Sequence, residues 1–176
     1  KHRGQHLYSA ETFMTGPRPI CMLVAVVRRE LLKAAGGFDE HWPHGADTAL
    51  WLRLLLIENT QGLWIPAAES TYHIDAVNRV SENIFQTFSP VAATAKRYLK
   101  NNACIPEKRK VLLKRYANAM SLKPVLRKII TADCSMKDIS DMLFWGCLPL
   151  RTTLILMGLL CLRGGLRRKA ALTILE

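Results

Sequence analysis

Paired cysteines, metal-site signatures and a long apolar run are all missing from these 176 residues. The five cysteines (Cys21, Cys104, Cys134, Cys147 and Cys161) are odd in number and none stands in a C-x-x-C. That spacing disfavours a disulfide framework and a cysteine-held zinc, and predicts reduced cytosolic thiols. Neither His-Glu-x-x-His nor Asp-x-Asp occurs, so the chain's own residues predict no metal site. Aromatic residues are only 7% and seldom interleave with the basic ones. No helix-turn-helix, RRM or zinc-finger pattern is present, so nucleic acid is not an expected partner. No internal repeat or low-complexity stretch is visible. Lys1–Gln5 is not followed by an apolar h-region, which predicts no signal peptide. The chain starts at Lys, and its first twenty residues read as mid-domain sequence, so a fragment is expected.

What is present suits a globular protein: 49% hydrophobic and 22% charged residues, enough to bury a sizeable core. The charge is unevenly spread. Residues 1–90 carry 8 Lys and Arg against 9 Asp and Glu, whereas residues 91–176 carry 17 against 5. A near-neutral first half joined to a basic second half predicts two roles, the second favouring anionic partners.

The same division follows from the hydrophobic pattern. Ile20–Val27 is a short apolar run preceded by Gly16, Pro17 and Pro19, and reads as a buried strand. Arg28–Ala35 is built of helix formers and is stopped by Gly36-Gly37. Phe38–Gly45 reads as a loop. Asp47–Asn59 has a strong helical pattern in which Leu50, Trp51, Leu54 and Leu55 share a face with Asp47. Gly62–Pro66 and Ser70–Ile74 read as short strands. Helical patterns then follow at 83–101, 106–119, 122–132, 136–146 and 148–163, with Pro106, Pro124 and Pro149 near helix starts and Ser135 as an N-cap. The expected domains are 1–82, α/β, and 83–176, basic and helical.

One constellation carries more chemistry than the rest: Arg28-Arg29-Glu30-Leu31-Leu32, Gly36-Gly37-Phe38-Asp39-Glu40, and Asp47 opening Leu50-Trp51-Leu52-Arg53-Leu54. The glycine pair permits a turn with positive φ after a helix. A short loop then delivers the Asp47 carboxylate to a helix start, where the dipole and free N–H groups favour it. On the residues alone two readings stand: Asp47 caps the helix, or it is a general base on a rigid element.

These motifs, over roughly residues 7–82, resemble the second half of a family 2 glycosyltransferase domain of the GT-A type, an inverting enzyme of cell-envelope polysaccharide assembly. The resemblance implies that Asp47 is the base on the acceptor hydroxyl, with Ala46 where the family often has Glu. It implies a nucleotide-sugar donor and a glycan or lipid-linked acceptor. It implies a divalent cation, Mg²⁺ or Mn²⁺, held by an Asp-x-Asp that this chain lacks, as it lacks the nucleotide-binding βαβ half. The chain is therefore expected to be the acceptor half of a transferase, inactive alone. By the same resemblance, His73 and Arg79 stand where the family meets the donor diphosphate; otherwise His73 is an edge-strand histidine with a satisfied hydrogen bond and Arg79 a surface residue.

His41 and His44 flank Trp42-Pro43 ahead of Asp47. Zinc would need a spacing they lack, so Trp42 and His44 are read as lining for the acceptor. Trp51 fits the core better than a sugar-stacking role, Arg53 lies off the apolar face as surface charge, and Asp138 and Asp141 read as a solvated face. In the tail, residues 142–162 hold Arg151 near their centre and are broken by Pro149, and their uninterrupted part, Leu154–Leu162, is too short to cross a bilayer. Arg163, Arg167, Arg168 and Lys169 follow. The pattern predicts a helix lying on or dipping into an anionic membrane surface, placing the protein at the inner face of the cytoplasmic membrane; a buried helix packed on the other tail helices is the second reading and a true span the last. The competing expectation is a non-catalytic basic helical module or scaffold for an anionic partner.

Overall fold

A computed structural model describes residues 6–16, 20, 22–42, 44–65, 88–102, 104–131, 135–162, 170, 171, 173 and 174. These are 68% helical and include one two-stranded sheet. The chain divides into two units, residues 1–84 and 85–176, each taken by itself below.

In the first unit, strand β1 (His6–Tyr8) runs directly into helix α1 (Ala10–Thr15). Ser9 caps α1, its Oγ accepting from Thr12 N at 3.2 Å. Tyr8, just before the cap, meets Phe13 edge-to-face with ring centroids 6.3 Å apart, a hydrophobic staple that fixes how the strand enters the helix. Helices α2 (Arg29–Ala34) and α3 (Ala46–Leu56) follow, then strand β2 (Gly62–Trp64). β2 pairs antiparallel with β1 in the register His6 to Trp64, Leu7 to Leu63 and Tyr8 to Gly62. α3 is the centre of this unit and packs on α1 and α2. Ala49, Leu50, Trp51, Leu52, Leu54, Leu55 and Leu56 are all buried, so the helix is enclosed nearly all round rather than along one stripe.

The Ile20–Val27 run is not a strand. Met22–Val24 forms a 3-10 turn, and Met22, Leu23, Val24 and Val26 are exposed. A fully buried strand needs neighbours on both edges, and among the described residues only β1 and β2 pair, with each other. The strand expected at Ser70–Ile74 lies outside the described residues.

In the second unit, α4 (Pro90–Asn101) starts with Ser89 as its cap and a proline at its first position, where the missing N–H costs nothing. α5 (Glu107–Thr131) is one continuous helix with Pro124 inside, replacing the two helices expected at 106–119 and 122–132. α6 (Met136–Met142) opens with a capping box between Ser135 and Asp138. A 3-10 turn at Trp145–Cys147 leads to α7 (Leu150–Cys161), whose preceding residue is Pro149. The core joins Val125, Leu126 and Ile129 of α5, Ile139 and Met142 of α6, Leu143, and Leu156 and Leu159 of α7. Asn118 ties α5 to the stretch after α6. Phe144 N donates to its Oδ1 at 2.7 Å and its Nδ2 donates to Phe144 O at 3.0 Å, so one buried amide satisfies both main-chain groups of Phe144.

Candidate functional site

The stretch from α2 to α3 is shaped by three glycines with positive φ: Gly36 at 79°, Gly37 at 64° and Gly45 at 70°. After α2, Gly36 N donates to Lys33 O and Gly37 N to Leu32 O, each at 3.0 Å. This is a complete Schellman cap, with Gly36 in the left-handed position that other residues enter only at a cost. The glycine pair thus does what its place after Arg28–Ala35 predicted.

Arg53, expected as surface charge, instead reaches back from the last turn of α3 and donates from Nη2 to Gly37 O. Neighbouring Asp39 folds the loop on itself. Its Oδ1 accepts from His41 N at 3.2 Å and lies 3.2 Å from His41 Nδ1. Desolvation raises the Asp39 carboxyl pKa, but the His41 main-chain and ring hydrogen bonds and the charges of His41 and Arg53 outweigh it and hold it below its ordinary value. Arg53 is the only cation of α3, but nothing local in the sequence names its partner, since Gly37 lies sixteen residues away.

Gly45 occupies the N-cap of α3 and brings no side-chain cap. Asp47, half-buried in the first turn, supplies it. Its Oδ1 accepts from Thr48 N at 2.7 Å and from Thr48 Oγ1 at 3.3 Å. Oδ2 has no hydrogen-bond partner among the described residues. One oxygen therefore fixes the side chain and the other meets no described partner, an arrangement open to both the capping and the base readings.

Trp42 and His44 are half-buried in the loop ahead of α3, and Trp42 N donates to Asp39 O at 3.1 Å. No hydrogen bond joins either side chain to Asp47 among the described residues. His41 is turned to solvent with its side chain 95% exposed. Trp51, one turn beyond Asp47, is only 5% exposed and belongs to the core; its indole Nε1 is buried without a hydrogen-bond partner among the described residues. His73 and Arg79 lie outside the described residues. Among the described residues no group of three or more His, Cys, Asp or Glu could hold a metal ion, so this part of the chain offers no ligand set for Mg²⁺ or Mn²⁺. In comparisons with protein families, with curated proteins and with solved structures, the chain matches none.

Proposed function

We propose that the chain is the acceptor half of an inverting glycosyltransferase of the family 2 type. It would serve a reaction that moves a sugar from a nucleotide-sugar donor to a glycan or lipid-linked acceptor, with Asp47 as general base. One observation carries the reading: a half-buried carboxylate at the start of an enclosed helix, with Oδ1 held by Thr48 and Oδ2 without a partner among the described residues. Inversion in one displacement needs a base that takes the acceptor proton as the hydroxyl oxygen attacks the sugar carbon. A base on a buried helix loses little entropy in reaching its working position. The Schellman turn and the Arg53 clamp fix the loop that leads into that helix. In this reading Trp42 and His44 face the acceptor, and His73 and Arg79 offset charge on the departing diphosphate. The divalent cation of such enzymes would add to that charge from ligands other than the described ones.

The reading is tested with Asp47→Asn in cells expressing the natural reading frame that contains this chain, measuring transfer of labelled sugar to membrane and glycan fractions. Asn keeps the oxygen that accepts from Thr48, so the fold survives and transfer drops by about 10²–10⁴-fold, the usual worth of a general base. Transfer within threefold of the unaltered protein overturns the assignment and leaves Asp47 as a cap. The alternative, a basic helical module for an anionic partner, rests on the second unit, which has its own core and a strongly cationic sequence.

A further inference from the structure

From the second unit we infer a membrane-docking surface: the outward face of α7, seated on an anionic lipid bilayer. The inference is independent of the transferase reading.

α7 is apolar on both sides, yet only one side is packed. Leu156 and Leu159 are 1% and 4% exposed and belong to the core with α5 and α6. On the opposite side Leu150 is 75%, Leu154 62%, Met157 42% and Ile155 38% exposed. At 100° per residue, Leu150, Leu154, Met157 and Cys161 fall within an arc of about 60°, flanked by Gly158, Arg151 and Ile155. A helix apolar all round is ordinarily buried all round, so the open arc marks a contact.

The charge of this unit selects the occupant of the arc. No Asp or Glu occurs from Met142 to Leu175, whereas Arg151, Arg163, Arg167, Arg168 and Lys169 all fall there. Among the described residues of this unit, Arg97, Lys100, Lys108, Arg115, Lys123, Lys137 and Arg151 are exposed, against exposed carboxylates at Glu107 and Asp141 only. An apolar strip on a unit whose exposed charges, among the described residues, are mostly cations matches acyl chains under anionic headgroups. Arg151, at the edge of the strip, can lay its stem on the apolar surface and lift its guanidinium to a phosphate. α7 lies on the membrane rather than across it. Its twelve residues extend about 18 Å, short of the ~30 Å hydrocarbon layer, and no helix among the described residues is long and apolar enough to cross.

The test is sedimentation of the chain with phosphatidylcholine vesicles, with and without 30% phosphatidylserine, at 0.1 and 0.5 M NaCl, beside analytical ultracentrifugation without lipid. The surface predicts binding to phosphatidylserine vesicles at least tenfold tighter than to neutral ones, weakened at least tenfold by the higher salt. Leu154→Gln with Met157→Gln should weaken it at least tenfold while the far-ultraviolet circular dichroism and melting midpoint stay unchanged, since both side chains already face outward. Equal binding to both vesicles, or none to either, overturns the inference. So does a lipid-free dimer that the same double variant dissociates in a chain that ignores vesicles, because a second copy would then cover the strip. Sugar transfer is not read in this assay, so its failure is distinct from failure of the transferase reading.

Discussion

Arg53 shows how one side chain can hold a loop to a helix. Its guanidinium bonds the Gly37 carbonyl and its charge favours the Asp39 carboxylate, so the Schellman turn is tied to α3. Arg53→Met keeps much of the apolar stem and removes the donors. A hydrogen bond from a charged donor is worth about 1.5–3 kcal/mol, and half-exposure puts this one at the low end, so the first unit should lose about 1–2 kcal/mol. Urea unfolding followed by tryptophan fluorescence reads this; a loss below about 0.5 kcal/mol would show that the clamp does not hold the turn. Asp138 gives the second unit a pH dependence. Hydrogen bonds from the Ser135 hydroxyl and main chain, then the bond from Lys128, hold its carboxyl far below the ordinary range. Unfolded, it takes up its proton near pH ~3.9. Between that value and the lower folded one the unfolded chain binds more protons, so this stabilisation is complete above about pH 5 and declines as pH falls. Asp138→Asn should flatten the acid side of a melting-midpoint curve between pH 6 and 2.5. Curves that stay parallel for the two proteins would remove Asp138 from the account.

At the level of elements, prolines were legible in part. Pro106 and Pro149 precede α5 and α7 as expected, whereas Pro90, which fell inside the helix expected at 83–101, stands at the first position of α4. Pro124 looks the same in sequence, yet α5 continues through it. The reason lies in the residues that follow: Val125, Leu126 and Ile129 are core residues that meet α6 and α7, and they reach those partners only if the helix runs on. Their burial is worth about 1.5–3 kcal/mol each, more in sum than the ~3 kcal/mol a mid-helix proline costs. Pro124→Ala restores the N–H and removes that cost. It forfeits about 1.6 kcal/mol of buried ring methylenes and up to about 1 kcal/mol through a freer unfolded chain. The net expectation is a second unit more stable by about 0.5–1 kcal/mol, read in urea; destabilisation would mean that packing of the buried proline ring outweighs the restored N–H. Helix interiors such as 47–56 and 150–161 were readable because their periodicity is local. The Asn118–Phe144 pairing and the Arg53 clamp were not, because each joins residues far apart in sequence. Nor was the exposure of Met22, Leu23, Val24 and Val26, since an apolar run does not say whether partner strands exist.

For the whole molecule, the change in composition near residue 90 and the two units are separate observations with a shared consequence. The second unit buries its own apolar residues, Val91, Ala92, Ala95, Leu113 and Ala117 as well as the cluster from Val125 onward, and residues 85–90 add no charge to the 17 Lys and Arg and 5 Asp and Glu of 91–176. A chain of that size with its own core can fold alone, but against considerable self-repulsion. Surface charges spaced by more than about 8–10 Å are screened at physiological salt. Repulsion spread over the unit therefore weakens with salt much more than the short Lys128–Asp138 pair, which is 3.0 Å long. Residues 85–176 made separately should show a helical circular dichroism spectrum and one cooperative urea transition. That transition should move to higher urea as NaCl rises from 20 to 300 mM, because salt relieves repulsion that the folded state concentrates. A gradual, non-cooperative loss of signal would mean that the core depends on the first unit. A cooperative transition insensitive to salt would mean that the cations lie too far apart in the fold to repel.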